Sequence, residues 1–218
     1  MAKNFFRTPI GTAYWAKVVT PDTKFVPEGQ YSVKLRFPKD EVEELCAFLD
    51  TQVEASLEAA KEKNPKLQKQ LSTQNPYTEV TDDEGNETGE VEFNFKLKAS
   101  GTTKDGKKFT QRPVVLDSKG HPILKFDQYK NVLNNDFSIG NGSRVKVAFE
   151  VNPYMTPATK VAGVSLRLRA VQVIELTTFG GGNFGFDEEE GFEYKDDNFG
   201  DSTSSSPFAD SQDSDGDF

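Results

Sequence analysis

From residue 30 to residue 37 apolar and polar side chains alternate without a break. Tyr31, Val33, Leu35 and Phe37 fall on one face of an extended chain, and Ser32, Lys34 and Arg36 on the other, because successive strand residues point to opposite sides. A helix would scatter these apolar residues around its circumference, so the pattern commits to a half-buried strand. The alternation returns at residues 90–98, where Val91, Phe93, Phe95 and Leu97 share a face. It returns again at 144–151, with Val145, Val147 and Phe149 against Arg144 and Lys146, and at 161–176, with Val164, Leu166 and Leu168 against Ser165, Arg167 and Arg169. Near Ala170 the phase slips, as at a bulge or bend. Residues 12–20 read as a further strand, ended by Pro21-Asp22. Residues 108–116 read as the return strand of a hairpin that turns at Lys104-Asp105-Gly106-Lys107, with Pro113 marking an edge or a bulge.

One segment has a different period. Val42, Leu45, Cys46, Leu49, Val53, Leu57 and Ala60 recur at helical spacing, which predicts an amphipathic helix through about residue 62. Asp40 and Glu43 have the spacing of a capping box, and Asn64-Pro65 ends the helix. Cys46 lies on the apolar stripe, where a thiol serves as a small core residue. Residues 82–87 (Asp-Asp-Glu-Gly-Asn-Glu) lack the ligand spacing of a calcium loop and read as a solvated hairpin turn. Five or six strands with one helix make a mainly β protein: a small closed or nearly closed antiparallel barrel with the helix packed against it.

Composition narrows the chemistry. The single Cys46 and single His121 exclude a disulfide framework, cysteine- or histidine-clustered metal sites and a Ser/His/Asp triad. The glycine pairs do not fit phosphate-loop patterns, and the carboxylates sit where a rigid acid/base site is not expected. Neither catalysis nor a cofactor is expected. The chain has no apolar run of transmembrane length and no apolar signal region, so it is expected to be soluble and intracellular.

The net charge of −9 argues at face value against nucleic acid as a partner. Its distribution reverses that argument. Residues 183–218 carry 12 acids and one base, a net of −11, and the other 182 residues carry 25 bases and 23 acids, a net of +2. The acidic segment has no Val, Ile, Leu or Met, so it is expected to be a disordered tail. It nevertheless holds six Phe among its carboxylates, which suits docking to a basic, apolar groove better than a plain solubilising role.

The outward faces of the expected strands repeat one chemistry: Lys34/Arg36, Lys96/Lys98, Arg144/Lys146 and Arg167/Arg169. Any single pair is ordinary for a solvated strand, where Lys also guards edges against aggregation. Four pairs, with Arg112 in a further basic cluster, form a track that could follow a phosphate backbone. Single strands also need aromatic platforms, because every base offers a π-face. Trp15, placed by alternation opposite Tyr14 and beside Lys17, is one candidate, with core burial the alternative. Tyr154, on a loop after a basic strand, is another. Tyr129 and Phe109 are weaker, and Phe93 and Phe95 belong to the core face.

Several short pieces in preserved order carry a resemblance. They include Met1-Ala2-Lys3, Gly11-Thr12-Ala13, residues 29–35 (GQYSVKL), Phe93-Asn94-Phe95-Lys96 and residues 115–120 (VLDSKG). Residues 139–143 (IGNGS), Val151-Asn152-Pro153-Tyr154, residues 164–168 (VSLRL), residues 175–182 (ELTTFGGG) and the terminus Asp215-Gly216-Asp217-Phe218 continue it. The chain resembles the single-stranded DNA-binding proteins of short-tailed lytic bacteriophages.

The resemblance implies a five-stranded antiparallel OB-type barrel at residues 1–179, followed by a Gly hinge and disordered acidic tail at 180–218. It implies sequence-independent binding of single-stranded DNA in replication and recombination, strand annealing, a homodimer, and residence in the cytoplasm of an infected bacterium. It also implies a tail, with Asp213, Asp215, Asp217 and Phe218 at its end, that competes with DNA and contacts a phage DNA polymerase and primase-helicase. Lys3 and Tyr154 match DNA-contacting positions of the family. Glu28 and Lys98 depart from it, standing where the family has an Arg and a groove Tyr. The alternative class is an acidic-tailed interaction scaffold that never binds DNA.

Overall fold

A computed structural model describes residues 5–103, 105–128, 131–133 and 137–177. Lys3, Lys104, Tyr129 and the whole acidic tail, with its hinge and terminal Phe218, lie outside the described residues.

The elements in chain order are β1 (Phe6–Arg7), β2 (Gly11–Asp22), β3 (Gln30–Pro38), α1 (Glu43–Lys63), β4 (Ser72–Gln74), β5 (Tyr77–Thr81) and β6 (Glu87–Lys98). They continue with β7 (Ser100–Thr102), β8 (Lys108–Thr110), β9 (Val114–Leu116), β10 (Arg144–Thr156) and β11 (Val161–Glu175). The fold is mainly β with one α-helix. Nine strands join in one sheet, and β7 with β8 form a separate hairpin. The five long strands are the ones that alternation marks. Strands β2, β3 and β6 pair antiparallel in sequence, and β10 pairs antiparallel with both β2 and β11. The expected purely antiparallel arrangement is corrected at β11, which runs parallel to β6 at Leu166 and Arg167 and to β4 and β9. The additional strands are two to five residues long and attach to these.

Pairing sends every alternating apolar face inward. Phe37, Phe93, Phe95 and Phe149 are fully buried, with Phe95 5.1 Å from Phe149 and edge-on packing of Phe37 against Phe93 at 5.7 Å between ring centroids. Such tilted and edge-to-face contacts add to the burial of large apolar area. The phase slip near Ala170 is real. Ala148 pairs with Ala170 and Phe149 with Leu168, so Arg169 is the extra residue of a bulge.

Three local expectations are corrected. Pro21-Asp22 does not end its strand: β2 runs through both, and Asp22 pairs with Gln30. The segment 108–116 is not one strand but two, β8 and β9, broken by residues 111–113, where Pro113 has no N–H to donate. The capping box does not form. Residues Lys39–Val42 make a 3-10 turn, and α1 then starts after Val42 with no side-chain cap.

The helix buries Leu49, Val53, Ser56 and Ala60, a stripe that includes one hydroxyl. Ser56 Oγ donates to the Gly163 carbonyl at 2.9 Å and lies 3.3 Å from that of Tyr154. A buried hydroxyl needs such a partner, and this one ties α1 to the β10–β11 ladder. Cys46 is partly buried against the core, and burial pushes its thiol pKa up, which suits a packing role rather than a nucleophile.

Candidate nucleic-acid interface

Residues directly opposite in adjacent strands point to the same side of a sheet. The registers therefore build the outer face row by row. Arg144, Thr12, Arg36 and Glu92 form one row across β10, β2, β3 and β6. Tyr14, Lys34 and Asn94 form the next. Lys17, Ser32, Lys96 and Arg167 form a third, which crosses from β2 to β11. Gln30 and Lys98 follow. Lys34, Arg36, Lys96, Lys98, Arg144 and Arg167, which come from four strands, are thus gathered on one face.

A groove of about 360 Å³ opens on this face, and Lys34, Asn94, Lys96, Tyr154 and Ser165 line it together with Gln74. Tyr154 is half-buried there. It lies not on a loop after the basic strand, as expected, but within β10, which runs on to Thr156 because residues 152–156 stay paired with β11. Its strand partner is Gly163, and a Cβ built on Gly163 would lie 3.0 Å from the Tyr154 hydroxyl oxygen and 2.9 Å from the Gln74 carbonyl oxygen. Only glycine lets the phenol lie across β11 here. The Tyr154 hydroxyl donates to Gln74 Oε1 at 3.4 Å, on the neighbouring strand β4.

The basic residues are held by partners. Glu92 accepts from Lys34 Nζ at 2.7 Å and from Arg36 Nε at 3.0 Å, and its side chain is only 12% exposed. The other side of the Arg36 guanidinium is covered by the Tyr14 ring, 4.4 Å from its centroid. Glu150 takes Arg169 Nη2 at 2.6 Å and lies 3.9 Å from Arg167. Arg167 also donates to Gln111 Oε1 at 2.8 Å, and Gln111 Nε2 donates to the Lys98 carbonyl at 2.8 Å. Lys98 faces Glu28 at 3.5 Å. Lys96 is exposed and has no ion-pair partner among the described residues.

The remaining expected residues fall outside these rows. Lys146 stands opposite Gln172 on the β10–β11 ladder, two residues from Arg144 and on the same side of β10. Arg112 is exposed, its guanidinium 4.9 Å from the Phe126 ring centroid. Trp15 does not oppose Tyr14 across the strand. The register of β2 against β3 jumps between Tyr14 and Lys17, so a bulge turns both aromatics away from the core, and Trp15 is 65% exposed. Its φ is +52°, and its N–H donates to Asn141 Oδ1 at 2.8 Å. A bulky residue held in the left-handed region stores strain, a condition that clusters at functional positions. Trp15→Gly is expected to raise unfolding stability by about 1 kcal/mol, because glycine adopts this backbone without a Cβ clash. Chemical denaturation measures it, and a loss of stability would show that the indole packs usefully.

Sequence reading missed Glu92, Glu150, Gln111, Ser56 and Gly163. Each acts through a cross-strand or helix–strand neighbour that no local pattern displays. Among the described residues no group of three or more His, Cys, Asp or Glu is placed to hold a metal ion, and no helix is long and apolar enough to cross a membrane.

Comparison with known proteins gives a consistent result. The family model for the single-stranded DNA-binding protein of bacteriophage T7 matches residues 11–176. The single-stranded DNA-binding protein of Escherichia phage T7 is 30% identical over 196 residues, covering 84% of this chain and 80% of that protein. Its counterpart from Enterobacteria phage T3 is 30% identical over 163 residues, covering 72% of this chain and 66% of that protein. The crystal structure of gp2.5, the T7-encoded single-stranded DNA-binding protein, superposes with a TM-score of 0.63 at 28% identity, covering 89% of this chain and 100% of that one.

Proposed function

The chain belongs to the single-stranded DNA-binding protein family of bacteriophage T7, and from that premise we propose that it coats single-stranded DNA without sequence preference. The family is one of binding proteins, not enzymes. The observation that carries the proposal is the groove in which Lys34 and Lys96 meet Tyr154, with Arg167 in register beside Lys96. Cations along a sheet face hold successive phosphates, and an aromatic at the edge stacks on a base of any identity. We read the five long strands as an OB-type barrel. Support comes from β10, which pairs on its two sides with β2 and β11, while β11 pairs with β6.

The test is a titration of labelled oligo-dT at several salt concentrations. The expected result is binding that weakens linearly in log[salt], with a slope of about −0.7 for each phosphate neutralised. Absence of binding at low salt would sink the reading and favour an acidic-tailed interaction scaffold.

The finer assignments rest on the resemblance and on the charge partition. We place the DNA-binding domain at 1–179 and a regulatory tail at 180–218. The protein acts in phage DNA replication, recombination and strand annealing in the cytoplasm of the infected host, as a homodimer. Residues 183–218 carry a net charge of −11 and the rest of the chain +2. The tail's carboxylates and Phe residues compete for the basic groove, and DNA releases them to recruit a polymerase and a primase-helicase. Removing residues 198–218 is expected to raise single-strand affinity severalfold, most at low salt where charge competition is least screened. Unchanged affinity of the truncated protein in the same titration would remove the tail from the groove.

A further inference from the structure

A second cavity, of about 670 Å³, lies at the Lys98 end of β6 and is lined by Glu28, Tyr31, Ser100, Gln111, Arg112 and Phe126 among others. Gln111 connects it to the groove already described, since the same side chain holds Arg167 and the Lys98 carbonyl. Two features point to a ligand. Tyr31 lines the cavity, and its hydroxyl, which has no hydrogen-bond partner among the described residues, opens onto it where a ligand can meet it. Phe126 is large, apolar and 45% exposed, and carries the Arg112 guanidinium against its ring at 4.9 Å. An exposed aromatic with an adjacent cation provides a stacking surface for a base and a positive charge for its phosphate.

Resting on the function proposed above, we infer that this cavity is a second nucleotide subsite, in which Phe126 stacks on a base, Arg112 neutralises a phosphate and the Tyr31 hydroxyl meets a polar edge of the base. The bound strand then runs along the outer face of β6 from Tyr154 to Phe126, and a short oligonucleotide fills only one end.

The experiment uses the full-length protein with three probes: a long oligo-dT, an oligo-dT too short to reach both ends, and the long probe with abasic sites throughout. Phe126→Ala is expected to weaken binding of the long oligo-dT about fivefold. The short probe and the abasic probe should bind the variant as they bind wild type, because one occupies the Tyr154 end and the other offers nothing to stack. Arg112→Gln is expected to weaken the long probe and to flatten its salt dependence by about 0.7 in slope. Phe126 and Arg112 are both exposed, so unchanged thermal melting verifies the fold. If both variants bind the long oligo-dT as wild type does, the subsite does not exist. Equal loss by Phe126→Ala on the abasic probe would overturn the stacking role. Wild-type protein that leaves every probe unbound would instead overturn the underlying function, and the subsite with it.

Discussion

Exchanging Glu92 for glutamine is expected to tighten binding of single-stranded DNA by about tenfold at low salt, with the gain shrinking as salt rises. In the free protein the Glu92 carboxylate sits where a phosphate would, against Lys34 Nζ and Arg36 Nε. A strand entering the groove must draw those cations off Glu92 or share them with it. Either way a nearly buried negative charge remains beside the incoming phosphate, where like charges a few ångströms apart repel by kilocalories rather than tenths. Glutamine keeps the shape and one acceptor for the two cations and removes the charge. The salt dependence should also steepen, because Lys34 and Arg36 would gather counterions in the free state and release them on binding. Glu58→Gln, which removes an exposed acid from α1, is the control for net charge and should change little. Equal or weaker binding by Glu92→Gln at every salt concentration would show that Glu92 positions the cations rather than competing for them.

The same substitution has an opposite consequence for stability. Burial disfavours the Glu92 charge, but hydrogen bonds and charge from Lys34 and Arg36 outweigh it and hold the carboxyl below its ordinary pKa. A folded-state pKa below the unfolded one stabilises the fold above the unfolded value and ceases to do so as pH falls through the folded one. The stability advantage of wild type over Glu92→Gln should therefore be present at neutral pH and decline on acidification below about pH 4.3, the ordinary Glu value.

Glu92 also marks the boundary of what is legible in the chain. Alternation is a property of adjacent residues, so Val91, Phe93, Phe95 and Leu97 announce the inner face of β6, and their neighbours the outer one. Register is not local. That Arg36 lies beside Glu92, and Lys96 beside Arg167, depends on how β3, β6 and β11 align. Nothing in 79–92 distinguishes Glu92, which is pinned between two cations, from Glu84, which sits in an exposed turn. The bulge at Trp15 escapes for a related reason. Alternation assumes one residue per pleat, and the extra residue between Tyr14 and Lys17 breaks that phase, so alternation alone leaves open whether Trp15 faces solvent or core. Ser56 is hidden by its type: a hydroxyl on a core stripe looks like an interruption until the Gly163 carbonyl it serves is seen. The resemblance supplies what alternation cannot, a reason to weigh Tyr154 and the basic strand faces together.

Tyr154→Ala is expected to cost about 1–3 kcal/mol of single-strand affinity, the usual size of one stacking platform. Two aromatics line the groove holding Lys34 and Lys96; Tyr77 is tied to Asp50 and packed on Phe93, whereas the Tyr154 ring is prepared for a base before one arrives. Gly163 leaves room beneath the phenol, Gln74 Oε1 accepts its hydroxyl proton, and Ser56 fixes the backbone carbonyl across the ladder. A platform already fixed loses little entropy when a base stacks on it. Tyr154→Phe separates the face of the ring from its hydroxyl. It keeps the stacking surface and gives up only a long hydrogen bond at 3.4 Å, so its affinity for oligo-dT should stay near wild type. Salt dependence adds a second readout, because a neutral ring releases no counterions: Tyr154→Ala should shift the whole line of log affinity against log[salt] downward without changing its slope. Loss in both variants would assign the role to the hydroxyl and its partner on β4. A flatter slope would mean that the substitution disturbs the neighbouring cations, and wild-type affinity in Tyr154→Ala would remove this residue from the path of the strand.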